Sequence, residues 1–291
     1  MIGLELFDSR ALAVSLDDGG KVLRQASIGV TSDLAAAAIA AIDDVRQGTN
    51  GAIGVTSATP DAPAVASAIL AVGRRFPGTA PATTSGMAAA VAESWLGAGR
   101  AFKDVAFFAV AEHATGGIVR DGRPVDGSHR RAASVAWLAL NPVEREDYRK
   151  IGCLEAEVAA AGVVRRLIWR IKSGDQSSVQ KAAGGSLAAI TVDHILDAAR
   201  AGDGVCVSVV RDTAKYLGMA AANFIVITDP QVLVLGGLMA SAADLFLEPV
   251  RSETARRLPK SLADLVSLSP AVFRDDAPAV GAARLAAMAA P

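Results

Sequence analysis

Four side chains, Glu5, Asp8, Glu112 and His113, carry the oxygen and nitrogen donors that divalent cations select. Brought together by a fold, they would make a cation site; kept apart, they are solvated loop groups without a ligand. Ser85 follows Thr84 and offers a hydroxyl, but a serine is a nucleophile only beside an activating base, and no histidine is near it in sequence. Its other role is to cap a helix that begins at Gly86. Glu155 can accept hydrogen bonds from ligand hydroxyls or supply negative charge to a helix N-terminus. The pairs Gly116-Gly117 and Gly236-Gly237 let backbone N–H groups approach phosphate, base or ribose atoms closely. The second pair serves a bare strand-to-helix turn equally well.

These residues depend on elements that the sequence marks clearly. Ile2–Leu6, Ala11–Leu16 and Lys21–Ile28 read as a β-meander, broken by Asp8-Ser9-Arg10 and by the hairpin turn Asp17-Asp18-Gly19-Gly20. An alanine-rich helix follows from the cap Asp33 to Gln47. Ala52–Val55 is expected as a buried strand, Asp61–Arg75 and Gly86–Trp95 as helices, and Val105–Val110 as a strand leading to a hairpin at Gly117–Val119. Beyond Leu154 the chain is expected to be mostly helical, with one long helix over Gly204–Ile227. Val232–Leu235 is an aliphatic strand, a helix starts near Ser241, and a small-residue helix spans Ala279–Ala290. The order implies α/β architecture in two lobes.

Several of these stretches resemble the ROK family of bacterial sugar kinases and sugar-responsive repressors. The opening meander with Asp18-Gly19-Gly20 is similar to the family's first strands. Ala88-Ala89-Ala90-Val91-Ala92-Glu93 with Gly97-Ala98-Gly99-Arg100 resembles the helix and loop after its catalytic Asp. Gly116-Gly117-Ile118-Val119, Gly122-Arg123 and Gly127 keep its hairpin spacing, and Gly152-Cys153-Leu154-Glu155 matches the end of its zinc motif. Asp229-Pro230 to Gly236-Gly237 and Asp276 to Ala283 are similar to its adenosine-side strand and its closing helix. The resemblance implies an α/β, two-lobed, actin-like (ribonuclease H-like) sugar-kinase fold. Its lobes would be residues 1–118 plus 279–291 and residues 119–278.

The resemblance also implies where the chemistry should sit, and there this sequence departs from the pattern. The family's Asn-Asp falls on Thr84 and Ser85, so the position of the base carries a hydroxyl. The first phosphate loop, Asp-Ile-Gly-Gly-Thr-Lys, reads Glu5-Leu6-Phe7-Asp8-Ser9-Arg10; the second reads Ala111-Glu112-His113-Ala114-Thr115-Gly116-Gly117. Phe7 and Asp8 close the glycine access, and carboxylates at roughly 4–6 Å would each oppose a triphosphate by about 1 kcal/mol. The zinc ligands fall on Trp137, Glu146, Tyr148 and Cys153, a set that leaves one thiolate where zinc wants four ligands. On the sugar side, Ser134 and Trp137 replace an acid and an imidazole while Glu155 remains, with Trp137 either a pocket wall or core. Gly116, Gly117, Gly236 and Gly237 are what remains of the nucleotide side.

Composition excludes several other classes. The 291 residues are 52% hydrophobic and 20% charged, with 29 basic and 30 acidic residues and a net charge of −1. No block of like charge offers a grip on nucleic acid, and the first strand opens at Ile2 without a preceding helix-turn-helix. No run is long enough to span a bilayer, no signal peptide precedes Ile2, and Cys153 and Cys206 suit a reducing compartment, so a cytoplasmic protein is expected. The expected function is that of a pseudokinase. It would bind a sugar-like ligand or a partner without zinc, ATP or magnesium, as a homodimer through the second lobe. The rival expectation is an ATP-dependent sugar kinase, or another activity in the remodelled cleft.

Overall fold

A computed structural model describes residues 1–31, 33–47 and 51–289, so Ala290 of the expected last helix lies outside the described residues. The chain divides into two compact units. The first holds residues 1–107 and 115–133 and the C-terminal stretch from Ala271; the second holds residues 108–114 and 134–270. The lobes expected from the resemblance have their cuts at 118/119 and 278/279.

The first unit is built on strands β1 (Ile2–Leu6), β2 (Arg10–Leu16), β3 (Val22–Gly29), β4 (Ile53–Ser57) and β5 (Thr83–Thr84), in the order β3-β2-β1-β4-β5. β1 runs antiparallel to β2 and parallel to β4, with Gly3 opposite Gly54 and Glu5 opposite Thr56. Helices α1 (Leu34–Arg46) and α2 (Pro63–Arg75) join Ile2, Leu4 and Leu6 in one core cluster, to which they bring Ile42 and Val72. Asp33 starts α1 as expected, its carboxylate accepting from the Ala35 and Ala36 N–H groups.

The period-two alternation of a strand turns Gly3 and Glu5 to the opposite face of β1. There the helices α3 (Ser85–Trp95) and, from the far end of the chain, the last helix (Ala277–Ala289) close the unit. Both are alanine-rich, and their backbones come close enough that side chains have no room. A Cβ at Gly281 would overlap the Ala88 carbonyl, and one at Gly3 would overlap the Ala279 carbonyl. Glu93, fully buried in α3, accepts from Ala98 N at 2.8 Å and from Val272 N and Phe273 N at 2.9 Å each, fastening the segment that leads into the last helix.

A second five-stranded sheet is ordered β10-β9-β6-β7-β8, from β6 (Val105–Val110), β7 (Ala114–Arg120), β8 (Arg123–Pro124), β9 (Val232–Gly237) and β10 (Ser267–Pro270). The second unit adds helices α4 (Glu146–Ile151), α5 (Cys153–Val158), α6 (Ala160–Lys172), α7 (Val179–Ala182), α8 (Val192–Arg200), α9 (Gly204–Thr228), α10 (Leu238–Ser241), α11 (Ala243–Arg257) and α12 (Lys260–Ala263); the closing helix Ala277–Ala289 is α13. The long helix α9 is one piece, as its periodicity predicts, and is capped by Asp203. β10 was absent from the sequence reading: its four residues, Ser-Leu-Ser-Pro, have too little apolar character to signal a strand, and pairing with β9 makes it one. Among the described residues no helix is long and apolar enough to cross a membrane.

The contact between α13 and α3 carries a direct test. Gly281→Ala should destabilise the protein by roughly 2–4 kcal/mol in urea unfolding, because the new methyl meets backbone rather than a yielding side chain. Gly73→Ala, at an exposed helical position with open space around it, should be neutral or stabilising by about 0.5–1 kcal/mol. Equal stability of the two variants would refute the packing.

Candidate functional site

In the first unit the site residues gather where β1 meets the start of α3. Thr84 ends β5 and caps α3, its hydroxyl accepting from Met87 N at 3.4 Å. Ser85 is therefore the first helical residue and not the cap expected from sequence: its hydroxyl turns inward and donates to Glu5 Oε1 at 2.8 Å. Both partners are buried, at 3% and 5% exposure. Sequence reading sought a base near Ser85 along the chain; the carboxyl that meets it is 80 residues away, on a neighbouring strand whose alternation alone hints at it.

Burial pushes the Glu5 carboxyl up to about 8, partly offset by the Ser85 hydrogen bond and by Arg10, with Asp275 and Asp276 adding to the rise. Near neutrality Glu5 is mainly a neutral acid. Its Oε2 is, among the described residues, the buried side-chain polar atom without a hydrogen-bond partner. Phe7 is half-buried with the Arg10 guanidinium 4.1 Å over its ring, while Asp8 is exposed in the β1–β2 turn.

Gly116 and Gly117 lie in β7 against the first turn of α3. A Cβ at Gly117 would overlap the Gly86 carbonyl, and one at Gly86 would overlap Gly116. Backbone packing of α3 on β7 thus suffices to require both Gly86 and Gly117.

In the second unit, Glu155 is buried in α5 and fully engaged. Its Oε1 lies 3.1 Å from His113 Nδ1, and its Oε2 accepts from Ala114 N at 2.9 Å. Glu112 beside them is exposed. Of the cation candidates, Glu5 and Asp8 belong to the first unit, Glu112 and His113 to the second. No group of three such side chains among the described residues is arranged to hold a metal. The reason is local, since Glu5 turns to Ser85 and His113 to Glu155.

Ser134 and Trp137 bracket a single 3-10 turn, where Trp137 N donates to the Ser134 carbonyl at 3.2 Å. Trp137 is 56% exposed, so the core role weighed for it is wrong; the short turn holds the indole outside the packed interior. The zinc positions hold a different set of contacts. Glu146 pairs with Lys150 at 2.7 Å on the surface, and Cys153 is buried with Tyr148 and Ala156. The Tyr148 hydroxyl donates to Glu157, which also takes Arg166 at 2.8 Å and Arg145 at 3.2 Å. One buried thiol, a phenol already bonded to a carboxylate and an exposed ion pair do not fit zinc. Gly237 closes β9 at φ +59°, and a Cβ there would overlap the Val110 carbonyl, so this glycine too follows from the backbone; Gly236 is buried beside it.

The pH dependence of stability tests the Glu5 environment. A carboxyl raised by folding contributes stability that is full below the unfolded value of about 4.5 and lost as pH rises through about 8. Glu5→Gln keeps the shape and removes the charge. It should match the parent near pH 5 and be more stable by roughly 2–4 kcal/mol near pH 9. Parallel melting curves across that range would contradict a buried, neutral Glu5.

The ROK family profile matches residues 75–289. A glucokinase from Halalkalibacterium halodurans is 29% identical over 196 residues, 66% of this chain and 59% of that protein. The Escherichia coli regulator NagC is 28% identical over 164 residues, 56% of this chain and 39% of its own length. The chain thus spans about six-tenths of the length of the curated glucokinases it matches. A ROK glucokinase from Streptomyces griseus, solved with glucose and AMPPNP, superposes with a TM-score of 0.85 over 99% of both chains at 23% identity. A ROK transcriptional regulator homologous to the Escherichia coli MLC protein superposes at 0.81, covering 98% of this chain and 78% of that one at 19% identity. The fold is therefore the two-lobed α/β sugar-kinase fold with its two mixed five-stranded sheets, and the chain belongs to the ROK family.

Proposed function

We propose that this chain recognises a sugar or a similar polyhydroxy ligand without phosphorylating it. One observation carries the reading: the hydroxyl of Ser85, at the position of the family's base, is spent as a donor to Glu5. A hydroxyl cannot take a proton from a sugar at neutral pH, and a carboxyl raised to about 8 is mostly protonated there. Phe7 and Asp8 in the first phosphate loop, and Glu112 in the second, add bulk and negative charge where a triphosphate would lie. On the second unit, Ser134 and the exposed Trp137 supply a hydroxyl and an aromatic face suited to sugar rings, with Glu155, near them in sequence, held by His113 and Ala114.

A second reading, an ATP-dependent sugar kinase, is favoured by the similarity to glucokinases. In that reading Glu5, once deprotonated, accepts through Ser85 the proton that leaves the sugar hydroxyl, as the sugar oxygen bonds to the terminal phosphorus of ATP and the bond from that phosphorus to the bridging oxygen breaks to release ADP. Activity would then climb as pH rises toward 8.

Coupled ADP release with magnesium, ATP and glucose, N-acetylglucosamine or xylose, at pH 7 and pH 8.5, separates the two. We expect no turnover at either pH, in line with the loss of about 10²–10⁴ in rate that goes with a missing base. At least one of these sugars should raise the melting temperature. Turnover that Glu5→Gln abolishes would establish the kinase instead.

The proposal includes a homodimer formed through the second unit, whose exposed Val226 and Ile227 leave apolar surface for a partner copy. Light scattering at micromolar concentration should give twice the chain mass of 29.6 kDa, and a monomer would remove this part.

A further inference from the structure

Within the second unit, residues of α6 and α9, with others from the segment before α4 and from α4, α5 and α11, line a wide-mouthed pocket of about 990 Å³. Its lining includes none of the residues considered above for sugar or nucleotide, although Glu157 of the wall shares α5 with Glu155. Six cations line it: Arg145, Arg165, Arg166, Arg170, Lys215 and Arg257. Against them stand three carboxylates of the wall, Asp147, Glu157 and Asp212. Trp169, Tyr216 and Met219 add an aromatic and apolar surface. We propose that this cavity is a binding site for an organic phosphate, with the phosphate held between Arg145, Arg165 and Arg166 and the ring of the ligand against Trp169.

Size and chemistry both support the assignment. Small-molecule sites run to about 300–1,000 Å³, enough for a nucleoside monophosphate or a hexose phosphate. Guanidinium groups match phosphate oxygens two at a time, which a lysine-rich surface would not do. Two of them are already oriented by aromatic rings: Arg145 lies 5.3 Å from the centre of Tyr148, and Arg166 lies 5.6 Å from that of Tyr216. Trp169 is 65% exposed, an unusual cost for an indole that nothing in this unit covers.

Each cation already faces a carboxylate. Arg165 reaches Asp147 at 2.7 Å, Lys215 reaches Asp212 at 3.2 Å, and Asp175 and Glu253 hold Arg170 and Arg257. These pairs are solvent-exposed on at least one side, where an ion pair contributes little and exchanges readily. A dianionic phosphate can therefore recruit Arg145 and Arg165 by rotation of exposed side chains. Arg166 stays fixed by Glu157 and by Thr213 at 2.8 Å, and serves as the rigid part of the site.

Titration calorimetry at constant ionic strength, with AMP, glucose 6-phosphate and inorganic phosphate as probes, tests the proposal. We expect saturable binding of at least one ester. Arg145→Gln and Arg165→Gln should each weaken it about tenfold, the worth of one charge-assisted hydrogen bond. Trp169→Ala should weaken an ester more than inorganic phosphate. Arg165 and Trp169 are about half exposed or more, so their variants should keep the parent's melting temperature, while Arg145→Gln, which also removes a partner of the buried Glu157, is read against its own melting curve. Absence of saturable binding by every probe would overturn the site. So would binding that survives all three substitutions but is lost on replacing Gly236, which would place the ligand on the nucleotide side. Substitutions that change the oligomeric state and leave binding untouched would likewise refute it.

Discussion

The backbone-to-backbone approach of the last helix is the constraint on which the first unit depends. α13 lies on β1, β4 and α3 at Gly3, Gly54 and Gly281, where each missing side chain admits a carbonyl of the facing element. Such contact leaves no play along the helix axis, because backbone atoms cannot rotate aside as side chains can. α3 is thereby fixed against β1, and its first turn is fixed a second time by Gly86 against β7. The position of Ser85 over Glu5 follows from these two contacts.

Buried carboxylates then act as local organisers. Glu93 collects three backbone N–H groups and fastens the entry to α13. Glu155 ties α5 to the β6–β7 turn through His113 and Ala114. Glu157 holds Tyr148, Arg145 and Arg166 together, so hydrogen bonds order a segment that a metal orders in the pattern this chain resembles. Each of these groups has hydrogen-bond partners on both carboxyl oxygens. Glu5 differs: with one hydroxyl donor and a bare Oε2, it meets burial by holding a proton.

That difference connects structure to the proposed function. A site for phosphoryl transfer needs an ionised acceptor near a sugar hydroxyl and open backbone donors near phosphate. The Ser85 hydroxyl is spent on Glu5 Oε1, and Phe7 is occupied by Arg10. What the second unit offers is different: a carboxylate in a fixed hydrogen-bonded frame, an exposed indole at Trp137, and a separate cavity rich in guanidinium groups.

Much of the fold was legible because local patterns dictate it. The meander, the Asp33 cap, the 25-residue helix α9 and the aliphatic β9 each follow from periodicity or turn chemistry within a short window. Motif order along the chain carried the family. The sequence could not show that Thr84 rather than Ser85 caps α3, since both are competent caps and the packing of α3 on β1 decides between them. Nor could it pair Glu5 with Ser85 or Glu155 with His113, or leave Trp137 in solvent, because these depend on contacts between residues distant in the chain or on a loop's exit from the core. Residue types and their periodicity determined by themselves which elements form. Only the tertiary structure decided which polar groups satisfy one another, because a buried donor takes whichever acceptor the packed backbone brings within reach.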